Sequence, residues 1–175
     1  ETARASAEAF GVAKAYHDVD AMAADPDVDL VVVSVRVPWH RDLVMAGLRA
    51  GKPVFCEWPL GANLAEAAEM AGFARERGVR TVVGLQGRSD PAVRYARDMV
   101  ARGDLGEVLT ANLSIMTPAV LERGAGRVWQ RLASNGANTL TIAGGHGIDA
   151  MCAILGEFAE VSARLATRIT SWSDT

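Results

Sequence analysis

Three short, apolar and largely β-branched runs alternate with helix-like segments, and this alternation constrains the fold more than any other feature. The runs are Leu30–Val35, Pro53–Cys56 and Arg80–Leu85. Continuous apolar runs of this length are typical of strands buried on both faces of a parallel sheet. Amphipathic stretches follow at residues 39–50, 63–77 and 91–102. The order β-α-β-α-β-α predicts a parallel, right-handed, doubly wound α/β arrangement.

Local signals place the ends of two helices. The first ten residues read as a helix that Gly11 ends. Asn63 is followed three positions later by Glu66, as in a capping box, and Leu64, Ala67, Ala68, Ala71 and Ala74 are predicted as the inner face of that helix. Gly78 is the predicted end of the same helix.

The pattern changes after Gly106. Strands are predicted over Val108–Met116 and Val161–Thr167, a helix over Gly147–Leu155, and mostly loop over residues 118–137. This mixture predicts a second, α+β unit. We therefore expect one domain at residues 1–104 and another at residues 105–175.

Composition excludes several classes of protein. Eighteen Lys and Arg residues against 21 Asp and Glu give a net charge of −3, so a surface built to neutralise nucleic-acid phosphates is not expected. No apolar run approaches the roughly 18 residues that a membrane-spanning helix needs. Cys56 and Cys152 have neither metal-ligand spacing nor a disulfide framework, and we expect two buried thiols in a reducing, cytoplasmic compartment.

Polar and aromatic residues follow all three predicted strands. The segments are Val37-Pro38-Trp39-His40, Glu57-Trp58-Pro59-Leu60-Gly61 and Gln86-Gly87-Arg88. In open α/β sheets ligands bind outside the carboxyl ends of the strands, so these residues suit a nucleotide or a small polar substrate. The alternative is that polar residues follow strands only because loops are solvated.

His146 lies in a glycine-rich segment three residues before Asp149. On a helix the two side chains share a face, and the carboxylate could orient the imidazole for general acid-base catalysis. The alternative is a solvent-exposed histidine at a helix start. Gly145–Ala150 matches a G-x-G-x-x-A dinucleotide pattern, but no clear strand precedes it, so we do not assign that motif. A metal site of His146, Asp149 and Glu57 is only weakly indicated by their spacing, and we predict no metal.

Several separated motifs resemble the glucose–fructose oxidoreductase / inositol dehydrogenase (Gfo/Idh/MocA) family. They are Ala50-Gly51-Lys52, Glu57-Trp58-Pro59-Leu60, Val83-Gly84 and Gly144-Gly145-His146-Gly147-Ile148-Asp149. Asn135-Gly136 and Leu85-Gln86-Gly87-Arg88 further resemble the branch that contains the fungal galactose-pathway transcriptional inhibitor and its bacterial oxidoreductase-like relatives.

The resemblance implies a Rossmann domain that binds NAD or NADP, followed by an open-faced mixed β-sheet domain for substrate binding and oligomerisation. Against that pattern residues 1–104 match an incomplete Rossmann-type domain and residues 105–175 the first part of the second domain. We therefore expect the sequence to be a fragment. Because the glycine-rich phosphate loop of the family is absent from it, we expect residues 1–175 alone to bind the dinucleotide weakly or not at all.

The resemblance also implies roles for individual residues. The cofactor-binding positions are Pro38, His40, Glu57, Trp58, Pro59 and Arg88, and the catalytic positions are His146 and Asp149. Trp58 stands where the family has a lysine, and an indole carries no charge and donates one hydrogen bond only.

Two functions follow as hypotheses. The first is an NAD(P)-dependent oxidoreductase, expected to be a homo-oligomer, that transfers hydride to or from a sugar or polyol-like substrate. The second is a non-catalytic dinucleotide-binding sensor of the same fold. Trp58 favours the sensor, whereas the retained His146 and Asp149 favour the enzyme.

Overall fold

The computed structural model describes residues 2–117, 122–167, 170–171 and 173–174. The helices are α1 (Thr2–Phe10), α2 (Val19–Ala24), α3 (His40–Arg49), α4 (Leu64–Arg77), α5 (Pro91–Ala101) and α6 (Gly145–Leu155). The strands are β1 (Val31–Val33), β2 (Val54–Glu57), β3 (Thr81–Gly84), β4 (Glu122–Arg123) and β5 (Ser173–Asp174). None of the helices in the described part is long and apolar enough to cross a membrane.

Strands β1, β2 and β3 form one parallel sheet in that order. Val31 pairs with Val54 at one end, and Glu57 pairs with Gly84 at the other. Each strand is followed by a short 3₁₀ turn or loop and then a helix, as the alternating sequence pattern predicts. The predicted Rossmann-type parallel arrangement is therefore confirmed.

The sheet carries the main hydrophobic core. The alternating buried positions of β1 and β2 pack with apolar residues from α2, α3 and α4; the cluster consists of Ala23, Val31, Val33, Val44, Met45, Leu48, Val54, Cys56, Met70 and Ala74. Helix α3 approaches the sheet closely at Gly47, where an added Cβ would lie 2.8 Å from Val54 Cγ2. A glycine is required there because helix and strand backbones are too close for a larger residue.

The capping box of α4 is present. Asn63 Oδ1 accepts a hydrogen bond from the Glu66 amide at 3.0 Å, and Glu66 Oε2 accepts one from the Ala62 amide at 2.8 Å. Gly78 ends the helix with a φ of 62°. The predicted inner face is wrong at its first residue: Leu64 is 84% exposed, because the face that meets the core is centred on Met70 and Ala74 instead.

Other elements differ from the sequence prediction. The sequence pattern does not predict helix α2. In the structure, 3₁₀ turns at Ala125–Arg131 and Ala133–Asn135 occupy part of the segment predicted as loop. The predicted strands at 108–116 and 161–167 are not strands in the described residues. A β-favouring pattern gives a strand only where a partner supplies the hydrogen bonds, and the described partners are confined to the β1–β3 sheet and the β4–β5 pair. Residues 118–121 lie outside the described residues.

The chain divides into two compact units. Unit 1 is Glu1–Gly84 and contains the parallel sheet, and unit 2 is Leu85–Thr175. Helix α5 belongs to unit 2, where it packs against α6. The sequence places a domain boundary later, between residues 104 and 105, and that boundary stays a prediction.

Candidate functional site

The carboxyl edge of the sheet in unit 1 holds most of the predicted cofactor-binding positions. Pro38 and Trp39 lie in the 3₁₀ turn Val37–Trp39 after β1, and both are exposed. Trp58 is half-buried after β2, and a cis peptide bond joins it to the buried Pro59. Because β1 and β2 are parallel neighbours, the turns that follow them start from the same edge of the sheet.

Glu57 is the acidic group of this edge. It is the last residue of β2 and pairs with Gly84, where an added Cβ would lie 2.6 Å from Glu57 Oε2. Glycine at position 84 therefore leaves the space that the carboxylate occupies. Within the described residues no group donates a hydrogen bond to this carboxylate, so its oxygens remain acceptors for a ligand.

The His40 side chain is directed into the interior of unit 1 and not towards solvent. Its side chain is buried, its Nδ1 lies 2.9 Å from the Pro59 carbonyl oxygen, and its Nε2 lies 3.0 Å from that of Val35. The sequence predicts a cofactor contact for this residue. Both ring nitrogens instead face backbone carbonyls, which leaves the imidazole no polar atom for a ligand.

Cys56 packs against the same imidazole. Its Sγ lies 3.3 Å from His40 Nδ1, and the thiol also faces the carbonyl oxygen of Glu57 at 3.4 Å. Burial, and to a smaller extent the charge of Glu57, raises the pKa of the Cys56 thiol to about 12. Cys56 is therefore a neutral thiol with no nucleophilic role at this site.

In unit 2 the structure joins Arg88 to Asp149, two predicted site residues that lie 61 positions apart. Arg88 Nε donates a hydrogen bond to Asp149 Oδ1 at 2.7 Å. The Asp149 side chain is 10% exposed and that of Arg88 is 50% exposed. Asp149 raises the pKa of Arg88, chiefly through this hydrogen bond. The other carboxylate oxygen, Oδ2, is buried and has no hydrogen-bond partner among the described residues.

His146 is half-buried in the first turn of α6. The sequence predicts that the Asp149 carboxylate orients its ring; in the described part of the chain no hydrogen bond joins the two side chains, and the pairing stays a prediction. Asp149 Oδ1 accepts a charge-assisted hydrogen bond from Arg88, and Oδ2 is left without a partner among the described residues.

The helix that carries His146 starts earlier than its sequence predicts. A π-helical segment, Leu140–Gly144, runs directly into α6. Asn138 Oδ1 accepts hydrogen bonds from the amides of Leu140 and Thr141 at 3.0 and 3.1 Å, and Thr141 Oγ1 accepts one from the Asn138 amide at 2.9 Å. These reciprocal bonds between Asn138 and Thr141 have the pattern of a capping box, so the spacing of the two residues is a local signal for this helix start.

Gly147 lets a neighbouring segment approach α6. An added Cβ at this position would lie 2.4 Å from Ile115 Cδ1 and 3.1 Å from Leu113 Cδ2. The glycine after His146 therefore serves close packing within unit 2, and it needs no ligand to explain it.

Two family models match consecutive parts of the chain. Residues 1–85 match the oxidoreductase family with an NAD-binding Rossmann fold, and residues 91–173 match the C-terminal domain of Gal80p. The first match covers the β1–β3 sheet, and the second covers α5 and α6.

Individual relatives are dehydrogenases. Dehydrogenase aclE of Aspergillus oryzae is 46% identical over 165 residues, which are 93% of this chain and 45% of that protein. The rabbit (Oryctolagus cuniculus) trans-1,2-dihydrobenzene-1,2-diol dehydrogenase is 39% identical over 105 residues, which are 60% of this chain and 32% of that protein. The chain thus spans less than half the length of these relatives.

A solved structure has the same fold. The NAD-binding oxidoreductase of Klebsiella pneumoniae superposes with a TM-score of 0.72 and 31% identity over 89% of this chain and 41% of that one. Fold, motifs and family matches agree, and the chain belongs to the Gfo/Idh/MocA oxidoreductase family with its NAD-binding Rossmann fold.

Proposed function

We propose that the whole protein is an NAD(P)-dependent oxidoreductase that acts on a sugar or polyol-like substrate. The observation that carries the proposal is the Glu57 carboxylate, which ends the middle strand of a parallel sheet in a region that matches an NAD-binding fold. The names of the dehydrogenase relatives support the same class of reaction. Homo-oligomerisation and a cytoplasmic location, which the resemblance and the cysteines suggest, belong to this proposal.

The residues at the sheet edge fit a nicotinamide dinucleotide. Among the described residues no donor bonds to the Glu57 carboxylate, and Gly84 leaves room for it, so Glu57 is suited to bind ribose hydroxyls. The exposed Pro38 and the half-buried Trp58 supply apolar surface at the same edge, whereas Pro59 is buried. Arg88 remains a candidate only through its terminal nitrogens, since its Nε is bonded to Asp149. The bound cofactor would accept or donate the hydride.

His146 is the proposed acid-base residue. In the oxidation direction an alcohol loses a hydride from carbon to the cofactor and a proton from oxygen to an imidazole nitrogen, and a carbonyl product remains. In the described residues the His146 ring has no hydrogen-bond partner that would compete for this role. In this scheme Asp149 forms its hydrogen bond with Arg88 and does not orient the imidazole.

The experiment compares turnover by the whole protein before and after His146→Ala. Aldoses, polyols and cyclic diols are supplied with NAD or NADP, and the formation of reduced cofactor is followed by absorbance. We expect turnover of at least one substrate, a fall in kcat of about 10²–10⁴-fold on substitution, and nearly unchanged cofactor affinity. The exposed His17, changed to Ala, is the matched control and should keep full activity.

A second candidate function is a non-catalytic sensor that binds a dinucleotide. It is favoured by the match of residues 91–173 to the C-terminal domain of Gal80p and by Trp58 in place of the family lysine. Tight dinucleotide binding with no turnover in the substrate screen would support the sensor over the enzyme.

Trp58→Lys separates the two functions further. In a sensor descended from an enzyme, restoring the ammonium should raise activity on polyols from zero. In an enzyme adapted to the indole, the same change should lower kcat/KM, because it removes an apolar surface and adds a charge.

A further inference from the structure

His40 lies where three segments of unit 1 meet. It is the first residue of α3, and its ring nitrogens face the carbonyl oxygens of Val35 and Pro59 at 3.0 and 2.9 Å. Val35 follows β1, and Pro59 belongs to the turn after β2. A single side chain thus spans the two turns that carry the exposed Pro38 and the half-buried Trp58.

We propose that His40 is a positioning residue, a clamp that fixes the two strand-end turns against each other by bonding to one carbonyl from each. That these turns hold a cofactor rests on the proposed function; the clamp itself rests on the contacts. His40 is 1% exposed, so water does not substitute for the ring at either carbonyl.

The chemistry of the contacts supports a clamp. Carbonyl oxygens only accept hydrogen bonds, so each contact requires an N–H on the ring. A neutral imidazole supplies only one N–H, so bonding to both carbonyls at once requires the imidazolium, which supplies two. The remaining polar neighbour, the Cys56 thiol at 3.3 Å from Nδ1, also has the Glu57 carbonyl as an acceptor at 3.4 Å. The thiol therefore does not need His40 as its partner.

Two substitutions separate the arms of the clamp. The side-chain amide nitrogen of Asn can replace Nδ1, and that of Gln can replace Nε2. His40→Asn should keep the bond to Pro59 and lose the bond to Val35, and His40→Gln should do the reverse. His40→Phe keeps an aromatic ring and loses both bonds. Changing the exposed His17 to Gln is the matched control.

The test is hydrogen–deuterium exchange of the whole protein, read in peptides that cover residues 34–39 and 57–61. We expect His40→Phe to speed exchange about tenfold in both segments while β3 stays protected, since each lost bond shifts local opening by about that factor. His40→Asn should speed exchange in 34–39 only, and His40→Gln in 57–61 only. If both single-arm variants speed both segments equally, or neither, the clamp is refuted.

A kinetic measurement then connects the clamp to the cofactor. We expect His40→Phe to raise the KM for the dinucleotide about tenfold with a smaller change in kcat. The Asn and Gln variants should raise this KM by less than His40→Phe does. Segment-specific exchange with no dinucleotide binding by the wild-type protein would refute the proposed function and leave the clamp standing. If the wild-type protein binds the dinucleotide but exchange is unchanged in all three variants, the clamp is refuted and the proposed function stands.

Discussion

The two units of this chain are stabilised in different ways. In unit 1 helices cover one face of a parallel sheet, and the side chains buried there form one hydrophobic cluster. Burial on both faces, which the apolar runs predict, is wrong: Val32 and Val82, in register on the other face, are 55% and 52% exposed. In unit 2 Ala137 is the only buried hydrophobic residue among those described, and polar contacts such as Arg88–Asp149 and Asn138–Thr141 connect its segments. The comparison teaches that the alternating β-α pattern suffices to bury a core in unit 1, whereas in the described part of unit 2 apolar residues such as Leu109 and Leu165 stay exposed, in a chain that spans less than half the length of its relatives.

The largest effect should come from the core of unit 1. Leu48 is fully buried, and Leu48→Ala should lower the free energy of unfolding by about 2–5 kcal/mol, because it leaves a cavity in the cluster. The matched control is Leu64→Ala, at a residue that is 84% exposed, where we expect a change within about 0.5 kcal/mol. Urea unfolding measures both, and similar losses for the two variants would contradict the assigned core.

In unit 2 the Arg88–Asp149 pair should give the largest polar effect. Asp149→Asn should lower stability by about 1 kcal/mol, because it weakens a charge-assisted bond that is largely shielded from water. A double-mutant cycle with Arg88→Gln should show coupling above that of the exposed, adjacent pair Arg97–Asp98, which is the control.

The same pair distinguishes two roles for Asp149. Bonding to Arg88 predicts that Asp149→Asn lowers stability and leaves the pH profile of kcat in place. Orientation of His146 by the carboxylate predicts a shifted profile with stability kept. Measuring both on one variant decides between these roles.

Much of unit 1 follows from its sequence, for identifiable reasons. The runs that form β1, β2 and β3 are mostly apolar and too short for helices, and the Asn63 capping signal is local in the chain. The position of Glu57 at the carboxyl edge then follows from the rule that ligand-binding residues come after the strands of a parallel sheet.

The remaining features depend on contacts that spacing does not reveal. Arg88 and Asp149 are 61 residues apart, and the sequence pattern pairs Asp149 with the nearer His146 instead. His40 follows a strand end by sequence and is predicted to contact a cofactor, yet its ring turns inward to two carbonyls. Residues 108–116 have the composition of a strand, but the described residues offer them no partner.

A smaller effect is expected at the start of α4. Asn63→Ala removes the bond that Oδ1 accepts from the Glu66 amide and should cost about 1 kcal/mol of stability. Asn112→Ala, at an exposed position with no cap, is the control and should be nearly neutral. Thermal unfolding of the two variants measures the difference, and equal melting temperatures would mean that the cap contributes nothing.

The smallest effect concerns acid stability in unit 1. Hydrogen bonds from Lys14 and then Tyr16 hold the pKa of Asp25 below its ordinary value. A depressed pKa stabilises the fold above the unfolded value near pH 4, and this contribution is lost as the pH falls through the folded value. The stability difference between wild type and Asp25→Asn should therefore shrink on acidification. The exposed Asp29, changed to Asn, is the control, and a difference independent of pH at Asp25 would contradict the assignment.

The central claim is that the carboxyl edge of the unit 1 sheet binds the dinucleotide through Glu57. Isothermal titration of the whole protein with NAD(H) and NADP(H) tests it, with Glu57→Gln beside Glu76→Gln, an exposed control on α4. We predict that Glu57→Gln raises the Kd at least about tenfold, because a hydrogen bond to a charged acceptor is lost, whereas Glu76→Gln leaves it unchanged. An unchanged Kd for Glu57→Gln in a protein that binds the dinucleotide tightly would contradict the claim.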